Sequence, residues 1–356
     1  MARKPSTKKQ LGKLKKLAKG RKRALILLQD NPDPDAIASA AGLKLLLREI
    51  ADCDTSIAHA GIIGRSENRR MLKYLGLNLR NADELTFDEY DLVAMVDTQP
   101  VFGNNPVEDQ AEVDVVLDHH EWAESTRQVE LSDIRANYGA TSTIVGEYLR
   151  EAGVELSMPM ATALLYGIQS DTQEFGRATS DADIEMFTHL YPQANKRYLS
   201  RIENEQEPRE YFTAVSRGLR DTRTYDNTAV CWLGRTINPD MTGEVADLLL
   251  RLEDADWVLC QGLFRGVVYI SLRTTERGQD ASSVAKEIVR DLGTAGGHEM
   301  LAGGQIKVSR DSFKRANKLR KQVERNFLDY FDIDPRCRRM LVSRATERQK
   351  DKTPKS

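Results

Sequence analysis

Val115-Val116-Leu117-Asp118-His119-His120-Glu121-Trp122 runs from an unbroken apolar stretch straight into an acid and two imidazoles. Consecutive Val and Leu without polar alternation suit a strand buried on both faces, as in a parallel sheet. Where that strand stops, an ordinary turn would favour Gly, Asn, Asp or Pro. Instead it ends in His119 and His120, two of only five histidines in the chain. Carboxylate and imidazole are the ligand types that Mn²⁺, Fe²⁺ and Zn²⁺ prefer. Alone, the stretch fits a polar strand-end turn as well as it fits a metal site.

Working outward, residues 24–190 alternate short apolar runs with helical patterns, which predicts βα units around a largely parallel sheet. Strands are expected at 24–28, 55–60, 92–96 and 113–117, and helices at 35–50, 68–75, 141–152 and 158–168. Residues 191–212 are polar and read as a linker. A smaller α/β pattern follows over 213–331, with strands at 228–233, 257–264, 267–272 and 306–308. Arg265-Gly266 marks a hairpin between two of these strands. Helices are expected at 243–252, 282–291 and 312–331, and the glycine-rich segment 293–304 reads as a loop.

Several elements of the first domain finish in acids. The strand 24–28 runs into Gln29-Asp30-Asn31-Pro32-Asp33-Pro34-Asp35, the strand 92–96 ends at Asp97, and the helix before Ser170 ends at Asp171. Each acid alone is most simply a turn or cap residue. Ligands of open α/β sheets bind outside the carboxyl ends of the strands. If these strands are parallel neighbours, Asp33, Asp35, Asp97, Asp118, His119 and His120 crowd together there. Such a crowd of carboxylates repels itself unless divalent cations are bound among them.

These motifs, Asn31-Pro32-Asp33-Pro34-Asp35-Ala36, Val96-Asp97-Thr98, Leu117-Asp118-His119-His120 and Ser170-Asp171-Thr172, resemble the four ordered motifs of the DHH phosphoesterase superfamily. Ala295-Gly296-Gly297-His298 followed by Ala302-Gly303-Gly304 resembles the glycine-rich signature of its DHHA1 domain. The resemblance covers roughly residues 24–310. It implies an α/β fold with a parallel-sheet DHH domain and a smaller α/β DHHA1 domain, the active site lying in the interdomain cleft. It further implies two divalent metal ions, Mn²⁺ or else Mg²⁺. Asp97 would bridge both ions and Asp33 would bind the first. Asp35, His119 and Asp171 would bind the second, His120 would contact the substrate phosphate, and Asp118 would orient the site. One position departs from the pattern: the family usually has a histidine ligand to the first ion where this chain has Gln29. An amide oxygen is a neutral and weaker donor to Mn²⁺ than imidazole.

In the second domain, Gly296 and Gly297 expose backbone N–H groups suited to phosphate, with His298 and Arg273 as further donors. The resemblance therefore implies a phosphoesterase of the nanoRNase or 3′,5′-bisphosphate phosphatase type. Its substrates would be a nucleotide or short RNA. Rival readings are an inorganic pyrophosphatase, a single-strand exonuclease and a non-catalytic nucleotide sensor. The Ser-Arg-Lys signature of family II pyrophosphatases is absent where Ser271-Leu272-Arg273-Thr274 stands.

Composition sets the outer bounds. The net charge of −2 conceals strongly basic ends: residues 1–23 carry no acid, and residues 314–355 are rich in Lys and Arg. Residues 1–23 and 332–356 are expected as basic tails, solvated arms or nucleic-acid contacts. No stretch approaches the ~20 apolar residues of a membrane span. The four cysteines are scattered, and no apolar signal core follows the basic N-terminus. These features predict a cytoplasmic protein with reduced thiols. The oligomeric state, monomer or homodimer, stays open.

Overall fold

Three apolar runs that precede acids, Arg23–Leu27 (β1), Leu92–Val96 (β4) and Val115–Asp118 (β5), lie side by side in one sheet. Asp54–His59 (β2), Arg80–Asn81 (β3) and Leu131–Ile134 (β6) complete it in the order β3-β2-β1-β4-β5-β6. Every pairing is parallel. The chain first builds outward from β1 through β2 to β3, then restarts on the other side at β4. That reversal makes a topological switch point between β1 and β4. The acids that follow β1, β4 and β5 therefore share one sheet edge.

The computed structural model describes residues 6–100, 105–106, 112–176, 179–204, 206–297, 300–309 and 312–342. It divides into two units, Met1–Gln206 and Glu207–Ser356. In the first, helices Thr7–Ala18 (α1), Pro34–Ala51 (α2), Ser66–Leu75 (α3), Thr141–Ala152 (α4), Met158–Asp171 (α5), Asp181–Leu190 (α6) and Lys196–Glu203 (α7) share one continuous core. Ile26, Ala94, Val96, Val115 and Leu117 supply that core's sheet side. The opposite faces of the same strands, Leu25, Leu27, Val93, Met95 and Val116, pack against a smaller cluster that includes Leu85, Phe87, Tyr90 and Val129.

Two expectations change here. Residues 1–23 are not simply a solvated arm, because α1 buries Leu11, Leu14 and Ala18 while its lysines face outward. The spacing of those apolar residues gives the helix one apolar stripe. The expected linker over 191–212 instead contains α7, whose Leu199 and Ile202 join the first core.

A buried polar network ties α1 to β6 and α4. Arg135 follows β6, and its side chain is 1% exposed. Its Nε and Nη2 donate to the two oxygens of Asp133 at 2.9 and 2.7 Å, and its Nη1 donates to Glu147 at 2.6 Å. Tyr148 donates to Asp133, and Tyr138 and Thr7 donate to Glu147.

The second unit contains helices Arg209–Asp221 (α8), Met241–Leu249 (α9), Ala281–Val289 (α10) and Phe313–Tyr330 (α11). Its strands are Arg223–Tyr225 (β7), Thr228–Arg235 (β8), Trp257–Phe264 (β9), Val267–Thr274 (β10), Thr294–Gly297 (β11), Leu301–Lys307 (β12) and Arg339–Met340 (β13). They pair in the order β11-β12-β10-β9-β8-β7-β13, with only β8 and β9 parallel. The β9–β10 hairpin turns at Arg265-Gly266 as the sequence predicts, both residues at positive φ. One sheet face packs on α10 and α11, the other on α8 and α9. Within the expected C-terminal tail, residues 339–340 form β13, whereas 343–356 lie outside the described residues. Among the described residues no helix is long and apolar enough to cross a membrane.

Arg135→Met strands the buried Asp133 carboxylate and should cost about 3–5 kcal/mol in urea unfolding. Replacing Asp133 and Arg135 together with apolar residues should cost clearly less. Equal losses in the two variants would show that the charge pair is not what the packing depends on.

Candidate metal centre at the strand ends

The loop after β1 turns through Asn31-Pro32 and starts α2 with Asp33, whose side chain accepts from the Ala36 N–H at 2.9 Å. Asp35, the second residue of α2, is 1% exposed. Its two oxygens accept the N–H groups of Thr141 and Ser142 at 2.7 and 2.8 Å. Asp35 thus caps α4, because the residue preceding that helix, Ala140, has no side-chain acceptor. Thr141 and Ser142, the first two residues of α4, supply donors here rather than the capping acceptor.

Asp97 sits just past β4 in the left-handed region, with φ 59°, where few residues other than Gly rest easily. Its N–H donates to Leu117 O at 3.0 Å, and its Oδ1 accepts the Thr141 hydroxyl at 2.9 Å. His119 follows β5 and points its Nε2 at Asp171 Oδ2, 3.1 Å away, and toward Asp97 Oδ1 at 3.5 Å. Its Nδ1 faces Tyr138 O at 3.2 Å. A carbonyl can only accept, so Nδ1 carries the proton and Nε2 is the nitrogen suited to a metal. Asp171 arrives from the last residue of α5.

Ligand atoms of Asp35, His119 and Asp171 lie within 4.8 Å of one another, as do those of Asp97, His119 and His120. The first triad is the set that the resemblance assigns to the second ion. Asp33 belongs to neither triad, although it senses the charges of Asp171, His120 and His119. Gln29, partly exposed, lies two residues beyond the end of β1. The donor set of oxygens and neutral imidazole suits a hard or borderline divalent cation.

Behind these groups Asp118 is fully buried. Its Oδ1 accepts from the His120 Nδ1 at 2.8 Å and from the His119 N–H at 2.8 Å. Its Oδ2 accepts from Gln99 Nε2 at 2.7 Å. Gln99 also donates to Glu121 O and accepts from Ala123 N and Thr126 Oγ1, so one buried amide fixes the loop on both sides of Trp122. The sequence does not single out Gln99, and its only local signal is a polar side chain just after a buried strand.

Electrostatics follow from this crowding. Burial, reinforced by Asp171, pushes Asp35 up to about 6. Burial and the charges of Asp33, Asp35, Asp118 and Asp171 raise Asp97 well above the usual range. Burial opposes the charged form of His119, but its bond to Asp171 and the surrounding acids lift it to about 10. Asp118 goes the other way: burial would raise it, yet the bond and charge of His120, with His119 and Gln99, hold it low.

In the second unit the expected loop at 293–304 contains the β11–β12 hairpin. Gly297, at φ 157°, has no room for a Cβ against Leu301 O and Ala302, so the hairpin itself requires this glycine. Gly296 has open space where a side chain would stand. His298 lies outside the described residues. Arg273 donates to Asp247 Oδ1 at 2.6 Å and to Ser271 Oγ at 2.8 Å, which holds its guanidinium within the unit.

Residues 23–168 match the DHH family, N-terminal domain, and residues 226–326 match the DHHA1 domain. An uncharacterised protein of Methanocaldococcus jannaschii is 35% identical over 301 residues, which is 84% of this chain and 61% of that protein. A probable manganese-dependent inorganic pyrophosphatase of Bacillus licheniformis is 29% identical over 169 residues, 47% of this chain and 54% of that one. The chain thus spans less than two thirds of the length of either relative. Among solved structures, an exopolyphosphatase-related protein from Bacteroides fragilis superposes with a TM-score of 0.70 at 17% identity, covering 91% of this chain and 98% of that one. RecJ in complex with Mn²⁺ from Thermus thermophilus gives 0.50 at 14% identity, covering 90% and 55%. At these identities the structural likeness is one of fold.

The raised acids make a directional pH prediction. Asp35 titrates near 6 when folded against an ordinary 3.8, so its burial destabilises the metal-free fold progressively from about pH 4 to above 6. His119, near 10 against 6.5, contributes stability that is complete below 6.5 and lost as pH rises through 10. Both push the same way, whereas the low Asp118 loses its contribution only in acid. EDTA-treated protein should therefore melt at lower temperature at pH 9 than at pH 6. Added Mn²⁺, which binds deprotonated ligands, should raise the melting temperature more at pH 8 than at pH 5. Metal-free stability that climbed with pH across this window would contradict the assignment.

Proposed function

The chain belongs to the DHH phosphoesterase superfamily, and on that premise we propose that it is a metal-dependent hydrolase of phosphoester bonds in nucleotides. The observation that carries the reading is that two sets of side chains from separate elements, Asp35 with Asp171 and Asp97 with His120, each come within ligand reach of the shared His119. Asp97, Asp35, His119 and Asp171 would hold divalent cations, Mn²⁺ foremost and Mg²⁺ in second place, with Asp33 and Gln29 completing the first ion's set. Cations bound there would neutralise charge developing on phosphate oxygens and make a water acidic near neutral pH.

The protein's own groups divide the remaining tasks. Asp118 accepts from His120 Nδ1, which fixes the ring and assigns exchange with a phosphate or leaving-group oxygen to Nε2. Tyr138 O holds His119 in the tautomer that presents Nε2. Substrates of the proposed reaction are short oligoribonucleotides, linear dinucleotides or a nucleoside 3′,5′-bisphosphate. Within the second unit, Gly296, Gly297, His298 and Arg273 are the residues we assign to phosphate recognition. Similarity to a protein named as a probable pyrophosphatase favours inorganic pyrophosphate as the second reading. The absence of that family's Ser-Arg-Lys signature counts against it.

The deciding assay offers pApA, longer RNA, cyclic dinucleotides, nucleoside bisphosphate and pyrophosphate with Mn²⁺ or Mg²⁺. Mn²⁺-dependent release of mononucleotides from pApA is expected, and Asp97→Ala should lower it by about 10³-fold or more. Turnover of pyrophosphate alone would favour the second reading, and no turnover under any divalent metal would overturn the enzyme assignment.

Gln29→His should lower the Mn²⁺ concentration needed for half-maximal activity by about tenfold. An unchanged metal requirement would show that Gln29 stands apart from the first ion.

A further inference from the structure

In the second unit, the end of α10 and the exposed face of α11 enclose an open groove of about 920 Å³. Its walls are fixed: Asn326 Nδ2 donates to Ile288 O at 2.8 Å, tying α11 to α10, and Gln322 donates to Asn326. Leu292 and Leu319 give it an apolar floor. Its charge is one-sided. Lys314, Arg315, Lys318 and Lys321 line it, together with Arg290, which is already paired with Glu287, and one acid, Asp291. Among the described residues none of the four α11 cations makes an ion pair. Holding like charges together costs folding free energy unless a ligand compensates them.

We propose that this groove binds the sugar–phosphate backbone of a single-stranded nucleic acid. Lys314, Lys318 and Lys321 follow an i, i+4, i+7 spacing, so they form one stripe with about 5–6 Å between neighbours. Such a stripe offers one cation after another to successive phosphates. Small-ligand pockets are mostly apolar and enclose their ligand, whereas strand-binding grooves combine a cationic track with apolar contacts to sugar and base. The side-chain amides of Asn317 and Gln322, also at the groove, add donors and acceptors for ribose or base edges. The choice of nucleic acid over another polyanion rests on the phosphoesterase reading, but the groove uses none of the residues assigned to the metal centre.

The test measures fluorescence anisotropy of a labelled 20-mer RNA, the matching DNA and poly-glutamate with the full chain in EDTA, where hydrolysis is off. The Lys314→Glu/Lys318→Glu/Lys321→Glu variant should bind RNA at least tenfold more weakly. The slope of log affinity against log salt should shrink by about 2. Equal loss for RNA and DNA would mean that the phosphates alone are read, while a larger loss for RNA would add the 2′-hydroxyl, and both support the proposal. Unchanged RNA affinity, or poly-glutamate bound as tightly as RNA, would overturn it. Thermal melting and pApA turnover of the variant should match the parent, which separates groove failure from misfolding. If pApA is not hydrolysed at all yet the variant loses RNA binding, the phosphoesterase reading fails and the groove stands.

Discussion

Two oxygens of one carboxylate, those of Asp35, accept the first N–H groups of α4, and most of the site is organised around that contact. It holds a full negative charge almost out of water, next to Asp171, Asp33 and Asp97. Helix-end N–H groups can compensate one carboxylate, since they carry roughly half a positive charge between them. They cannot compensate a cluster. The geometry depends equally on what is missing at Gly167 of α5. A Cβ there would collide with Ser142 Oγ and lie 3.1 Å from Asp35 Oδ1. Only without a side chain at that position can α5 come close enough to deliver Asp171 beside His119.

Support for the site extends inward in layers. Asp118 and Gln99 set the loop that carries both histidines, while Tyr138 O sets the tautomer of His119. Tyr138 is itself held through its hydroxyl by Glu147 and Arg135, and that network ends at Thr7 on α1. A basic segment that could have been only a tail therefore has a second use. It closes the polar cluster behind the strand end from which His119 projects. Packing and chemistry are joined there through hydrogen bonds that centre on the buried Arg135 and Asp133.

Much of this was legible in the sequence because it depends on local pattern. Buried parallel strands read as apolar runs, and acids at their ends stand out against them. Asp33, Asp35 and Asp97 are identifiable that way without tertiary information, and Asp171 stands out in the same manner at the end of an apolar helix. What escaped was determined at long range. α1 is masked by its lysines, and its apolar stripe has meaning only once α4 and β6 are there to cover it. β6 reads as Leu-Ser-Asp-Ile, and the polar Asp133 within it is tolerable only because Arg135 folds back onto it. Gln99 is an unremarkable amide until residues 118–126 fold around its two polar atoms. In the second unit the glycine-rich stretch resembles a loop, since glycine weakens any strand assignment. Pairing with β12 makes it a strand nonetheless, and Gly297 is required there by the hairpin backbone.

The charge distribution has a consequence for the order of events. A net charge of −2 averages an acid-crowded strand edge with a cationic helix face. A phosphate approaching Asp33, Asp35, Asp97 and Asp171 without bound cations meets repulsion in a poorly solvated site, where screening by salt is weak. Cation binding must therefore come before productive binding of any anionic substrate at the strand ends. The α11 groove is under no such condition, because its lysines already carry the complementary sign. Removing divalent metal thus acts on the strand-end chemistry and leaves the electrostatics of the groove intact, so the two kinds of anion recognition in this chain are separable by metal alone.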